Sequence, residues 1–415
     1  MIKKIVTVGL SVLVGFNLMA QQPAKHLTLK TGRWNASILR ADGVAIPFEF
    51  FVDKEAEKTV LYVVNGEERI KTPDIVQVND SLLIQMPVFE SAFRVKLQGN
   101  NRLSGVWIKG GADKDLQMPF EATAGKARFG NAVPASGRVS HQVEGKWRVS
   151  FLRNGQPDKA PSVGEFTQKG NVVRGAVLTT SGDFRYLDGI IQGDSLMLST
   201  FDGIHAMVFK AAINGDTLKG NFYSSNAAAT VWQAVKDDSA LVEAPITTVK
   251  PGSDGKLNFS FTDLQGHTVS MADARFKNKV VVVQIMGSWC PNCMDEMAYF
   301  SDYYKKNKDR GVEFVALAYE LSTDVERSKK SLEKFEKQFD VQYPILNTGV
   351  TVRDPERTAK TLPQITDIKV FPTSIILDKT GTIHEINTAF YGPGTGLYYE
   401  KYKMQFENTI NALLN

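Results

Sequence analysis

Two cysteines occur in 415 residues, Cys290 and Cys293, and only two residues separate them. A disulfide used as a staple closes a long loop, because it works by restricting the unfolded chain, and a bridge across two residues restricts almost nothing. The spacing points instead to chemistry, the reversible exchange of a dithiol with a disulfide. The pair stands in Gly287-Ser288-Trp289-Cys290-Pro291-Asn292-Cys293, between the β-branched run Val280 to Ile285 and a segment of helical character from Met294 to Lys308. At such a junction the free backbone amides and the helix dipole stabilise a thiolate, which is the species that attacks a disulfide. Cys290 is therefore expected to be the exposed nucleophile of low pKa. Cys293, one turn on and on the same helix face, is expected to resolve the mixed disulfide.

Other uses of a cysteine pair fail on named residues. A zinc site needs four ligands, and the five histidines, His26, His141, His205, His267 and His384, form no ligand-spaced pair. Covalent haem attachment needs a histidine after the second cysteine, where Met294 stands. No metal and no organic cofactor is expected, the redox group being the Cys290 and Cys293 sulfurs themselves.

The elements that position the pair belong to an α/β layer. After Val280 to Ile285 and the Met294 to Lys308 helix, a strand is predicted over Val312 to Ala318 and a helix over Val325 to Phe339. Strands follow at Tyr343 to Leu346, Val370 to Leu377 and Thr382 to Ile386, the last two flanking the Lys379-Thr380-Gly381 turn, and a helix closes the chain over Tyr398 to Leu414. A parallel start with a late antiparallel hairpin places residues 257–415 in the α/β class.

Upstream the grammar is different. From His26 to Val235 short alternating stretches are separated by Asn-Gly, Gly-Asp and Asn-Asp turns, the pattern of antiparallel hairpins. The region repeats itself: Gly32-Arg33-Trp34 returns as Gly145-Lys146-Trp147, Asp80-Ser81-Leu82 as Asp194-Ser195-Leu196, and Leu103-Ser104-Gly105 as Leu218-Lys219-Gly220. Three matches in one order, at a near-constant spacing of about 114 residues, indicate duplication. The expectation is a multidomain chain: all-β units at 26–130 and 138–236, each a small up-and-down barrel or sandwich, with one sheet built from both copies as the alternative. Residues 237–256, with Pro245 and Pro251-Gly252-Ser253-Asp254-Gly255, read as a linker. Trp34, Trp107, Trp147 and Trp232 are assigned to β cores.

Lys3 and Lys4, the apolar run from Ile5 to Phe16 and the small Ala20 have the layout of a secretory signal over residues 1–20, with a retained anchor as the alternative. The protein is expected outside the cytoplasm, in the periplasm or an equivalent compartment, soluble after signal cleavage. A formal charge of +4, with basic and acidic residues interleaved, gives no footprint for nucleic acid.

From Phe259 onward the sequence resembles the thioredoxin-like TlpA/ResA-type thiol-disulfide oxidoreductases. The resemblance rests on Asp263-Leu264-Gln265-Gly266, on Trp289-Cys290-Pro291-Asn292-Cys293 and on Phe371-Pro372-Thr373. It implies a thioredoxin-like fold with Pro372 in the cis form beside the cysteines, and a face at Trp289, Pro291, Phe371 and Pro372 where a partner's extended chain pairs. It also implies a proton-transfer role for Glu296, although an acid near a helix start is favoured by the dipole in any case. Gln284 stands where thioredoxin has a buried aspartate. Members of the family are reductants of disulfide-containing exported proteins and are recharged by a membrane thiol donor. Within the same chemistry an oxidase or isomerase is the alternative, and from another class, a ligand-binding or protein-binding β module with an accessory redox domain. Tyr391-Gly392-Pro393-Gly394-Thr395-Gly396 lacks the lysine of a phosphate loop and reads as structural.

Overall fold

The computed structural model describes residues 28–56, 58–129, 141–243 and 246–415. The segment read as a signal, residues 1–20, lies outside them, as does His26.

The first β unit is a nine-stranded antiparallel sheet in which Gly32–Leu39 pairs with both Ala45–Glu55 and Leu116–Ala124. Its two edges are Glu68–Lys71 and Val76–Val78, which do not pair with each other, so the sheet curls into a half-barrel and stays open. The second unit closes. Its Gly145–Arg153 strand pairs with Ser162–Lys169 on one side and with Thr230–Lys236 on the other, and Val172–Thr179 pairs with Leu187–Gln192 where the first unit has its gap. Each unit thus has its own sheet, one open and one a barrel. Neither is a sandwich, and among the described residues no sheet spans both.

The duplication is visible in single atoms. Gly32 and Gly145 both take the left-handed φ, 103° and 106°. Two residues later the Trp34 indole N–H donates to the Lys30 carbonyl and the Trp147 indole to the Val143 carbonyl, each over 2.8 Å. All four assigned tryptophans are fully buried. The barrel interior is filled by its own rings, among them Trp147, Phe151, Phe209 and Trp232. The half-barrel has its own rings, among them Phe48, Phe93 and Phe120, and is completed from outside. Phe201 of the barrel stands 4.5 Å from the Phe48 ring centroid, 5.5 Å from Phe93 and 5.6 Å from Trp107, so the two β units share a core.

The C-terminal domain is a seven-stranded mixed sheet in the order Thr268–Ser270, Ser260–Asp263, Ile345–Asn347, Val312–Ala318, Val280–Met286, Thr373–Leu377, Ile383–Asn387. Val280–Met286 is buried at every position, as a central strand covered on both faces must be. It pairs in parallel with Val312–Ala318 and antiparallel with Thr373–Leu377. The helices are Pro291–Asn307, Val325–Phe339, the short Arg357–Thr361 and Leu397–Leu414. The first starts at Pro291 rather than Met294, because proline has no N–H to lose and its fixed φ suits the first helical position. The strand expected from Val370 starts at Thr373, after the cis peptide Phe371-Pro372. The hairpin Ser260–Asp263 with Thr268–Ser270 and the Arg357–Thr361 helix were not legible, being too short to show a period. Of the residues read as a linker, Ala240 is buried, and Val249 and Lys256 form bridges to Ile365 and Thr382. Among the described residues no helix is long and apolar enough to cross a membrane.

Candidate active site

The fully buried strand Val280–Met286 ends at Gly287, and the helix Pro291–Asn307 begins four residues later. Gly287 is required there, since a Cβ would lie 2.2 Å from the Trp289 indole nitrogen. Cys290 is the N-cap of the helix. Its Sγ accepts the Cys293 backbone N–H over 3.2 Å and lies 3.6 Å from the Phe371 carbonyl oxygen, next to the cis bond to Pro372. Both cysteines are free thiols. The structure therefore brings Cys290, Cys293, Phe371 and Pro372 together, and Trp289 joins them: its indole N–H donates to the Tyr319 carbonyl over 2.9 Å, and its ring meets Phe371 edge-on at 5.4 Å.

One expectation is corrected. Cys290 is not exposed, at 4% relative accessibility, and Cys293 is at 0%. Both belong to an apolar cluster that runs on into Phe201 and Ile204 of the barrel. Pro291 is buried as well. Sequence reasoning placed the pair on one domain and took no account of the β units packing over it.

Glu296 is 1% exposed and lies in the second helical turn, so a dipole preference for acids in the first turn does not explain it. Gln284 Nε2 donates to its Oε2 over 2.9 Å and the Tyr402 hydroxyl to its Oε1 over 2.8 Å. Burial pushes the carboxyl up to about 7 against these donors. Burial, and then the adjoining Cys290 sulfur, hold the Cys293 thiol well above its ordinary value, and the Glu296 charge adds to this. A thiol that ionises reluctantly thus shares this interior with a carboxyl raised to about 7.

Further ionisable groups surround the pair. Glu320 follows the Val312–Ala318 strand, accepts the Ser288 N–H over 2.8 Å and the Ser288 hydroxyl over 2.5 Å, and is raised by burial to about 7. On the other flank Arg185 of the barrel pairs with Asp295 of the helix and Glu68 of the half-barrel, and its Nη1 donates to the Pro291 carbonyl over 3.2 Å. Burial would lower the guanidinium, but the two carboxylates hold it well above its ordinary value. Burial outweighs Arg185 at Asp295, which is raised to about 7. Asp183 accepts the Asn292 amide over 3.0 Å and the Gly392 N–H over 2.7 Å. None of these was found from sequence. Glu320 left one signal, an acid directly after an apolar strand at the sheet's carboxyl end, where α/β folds gather function. Arg185 and Asp183 left none, because their partners are more than a hundred residues away. Among the described residues no cluster of His, Cys, Asp and Glu suits a metal ion.

Residues 254–386 match the AhpC/TSA family. The thiol-disulfide oxidoreductase ResA of Bacillus thuringiensis subsp. konkukian is 33% identical over 127 residues, 30% of this chain and 63% of that protein. The thiol-disulfide oxidoreductase ResA of Geobacillus kaustophilus is 28% identical over 182 residues, 44% of this chain and 82% of its own. The C-terminal region thus matches thioredoxin-like domains of the TlpA/ResA type. The chain spans 63% of the length of the first of these relatives, and the matched part of the thioredoxin-like domain includes both cysteines and Pro372. Among solved structures, a thiol-disulfide oxidoreductase from Bacteroides fragilis NCTC 9343 is 20% identical, covers 35% of this chain and 96% of its own, and gives a TM-score of 0.26.

Proposed function

We propose that this chain is an exported thiol-disulfide oxidoreductase that reduces disulfides of other exported proteins through Cys290 and Cys293, recharged by a membrane thiol donor. The observation that carries the reading is the Cys290 sulfur at a helix start, accepting the Cys293 N–H, with Glu296 buried close to the Cys293 thiol. The ResA relatives and the Lys3 to Ala20 segment support the chemistry and the export respectively.

The Cys290 thiolate attacks one sulfur of the partner disulfide, forming a Cys290–partner bond and expelling the partner's other sulfur as a thiolate, which takes a proton. The Cys293 thiol then passes its proton to Glu296, and its sulfur attacks Cys290, releasing the second partner thiol. Two electrons have moved to the partner, and Cys290 and Cys293 are left as a disulfide. A donor dithiol reverses that state by the same exchange. No metal or organic cofactor enters any step.

Reduction of insulin disulfides with dithiothreitol as donor tests the reading. Wild type should accelerate it, Cys290→Ser should be inactive, and Cys293→Ser should trap a mixed disulfide visible by mass. Activity retained by Cys290→Ser sinks the proposal. A redox titration fixes direction: a midpoint near that of thioredoxin, about −270 mV, supports a reductase, and one near about −120 mV an oxidant of thiols.

A further inference from the structure

The dithiol is covered from two sides by the β units, and the cover is built rather than incidental. The turn Gly182–Arg185 of the barrel lies on the residues between the cysteines. Asp183 holds the Asn292 amide, and Arg185 holds the Pro291 carbonyl and Asp295. The approach is close enough to need glycine: Gly182 has φ of +126°, and a Cβ there would stand 2.5 Å from Asn292 Oδ1. On the far side of the turn Gly394 does the same, since its Cβ would lie 2.9 Å from the Arg185 carbonyl carbon, while Gly392 N–H bonds Asp183. The Tyr391 to Gly396 loop, read from sequence as structural, is the clasp for this turn. Opposite it, Ile204 of the barrel and Gly110 of the half-barrel line the same small cavity as Trp289 and Ser288.

Resting on the proposed exchange chemistry, we propose that the Gly182–Arg185 turn is an autoinhibitory cap, and that a protein disulfide reaches Cys290 only when the β units swing off the thioredoxin-like domain. The two β units move as one body because Phe201 locks their cores together among Phe48, Phe93 and Trp107. The cap itself is held by charged and amide groups. Buried ion pairs such as Arg185 with Asp295 and Glu68 return little net stability over their hydrated states, and the swing must also part Phe89 from Phe335 and Glu90 from Arg327 on the half-barrel side. The β units precede the thioredoxin-like domain in the chain, so a single covalent crossing joins the two bodies and one hinge suffices. The closed form leaves Cys290 at 4% accessibility.

The test compares two maleimides of one chemistry on the reduced full-length protein, N-ethylmaleimide and a polyethylene-glycol maleimide, with modification at Cys290 read by mass spectrometry. The bulky-to-small rate ratio is divided by that of a free cysteine peptide. A cap that must open locally predicts a normalised ratio of about 0.1 or less in wild type, rising about fivefold or more in Arg185→Ala and Asp183→Ala. Asp183→Ala leaves the Arg185, Asp295 and Glu68 charges in place and carries the test if Arg185→Ala fails to fold. Wild-type rates near those of the peptide for both reagents, or rates unchanged in a folded variant, overturn the cap, whereas a ratio near one with both rates suppressed means that one swing gates both reagents and supports it. Insulin reduction separates the two ideas: with peptide-like rates and an inactive Cys290→Ser, the cap falls and the oxidoreductase stands.

Discussion

Gln284 Nε2 donates to Glu296 Oε2 across 2.9 Å, joining the central strand to the helix that carries both cysteines. A neutral amide therefore fills the strand position, and the acid stands on the helix, where its charge adds to the upward shift of Cys293. Because burial sets Glu296 near 7, the step in which Cys293 gives up its proton should quicken as pH rises through that value. Glu296→Gln should slow resolution of the mixed disulfide by about a hundredfold and remove the limb near neutrality. Stopped-flow resolution rates between pH 5 and 9 read both effects, and a variant that keeps the limb would exclude Glu296 as the acceptor.

The same carboxyl makes folding stability depend on pH. Its folded pKa, about 7, lies above the ordinary 4.5, so between these values the native state binds the proton more tightly than the unfolded chain. Stability is thus full at low pH and is lost as pH rises through 4.5 toward 7. Glu296→Gln lacks this loss. Gln284 Oε1 has no hydrogen-bond partner and can receive the new amide. Relative to wild type, the variant should gain about 2–3 kcal/mol on going from pH 5 to pH 8 in urea denaturation. A constant difference across that range would show that Glu296 is ionised throughout.

Phe201 should be the most sensitive residue of the β region. It is fully buried and plugs an open half-barrel with a ring from the closed one, so truncation leaves a cavity that neither sheet can collapse into. Phe201→Ala should cost about 3–5 kcal/mol. It should also split a single β transition into two, because Phe201 is the ring from the barrel that packs on Phe48, Phe93 and Trp107 of the half-barrel. Calorimetry that shows one cooperative β transition in the variant would argue for a self-sufficient half-barrel.

What the sequence made legible follows from how local the signal is. Cys290, Cys293 and the start of their helix were readable because the motif and its strand are contiguous. The β duplication was readable because the Gly-x-Trp corners keep both spacing and geometry, down to the paired indole hydrogen bonds. That one copy is open and the other closed was not, since the barrel closes by pairing Val172–Thr179 with Leu187–Gln192, and their counterparts about 114 residues earlier, Lys58–Asn65 and the three-residue Val76–Val78, lie apart in the first sheet. The burial of Cys290 was invisible for the same reason as Arg185: the covering groups come from the barrel, and nothing local to either segment records the meeting.

Ser288 and Glu320 give the last prediction. Two donors from one residue, the Ser288 N–H at 2.8 Å and its hydroxyl at 2.5 Å, hold a carboxyl that burial has raised to about 7. Ser288→Ala removes the hydroxyl and leaves the amide. The ionised form then has one donor fewer in a dry site, so the folded pKa moves further up, and the variant should lose more stability at pH 8 than at pH 5. The added loss should be about 1–2 kcal/mol, the cost of a charge-assisted hydrogen bond. Because Ser288 is two residues before Cys290, activity could fall through displacement of the loop, so the discriminating readout is the pH dependence of urea midpoints. Glu320→Gln in the same background should erase that dependence, and its persistence there would assign the titration to another group.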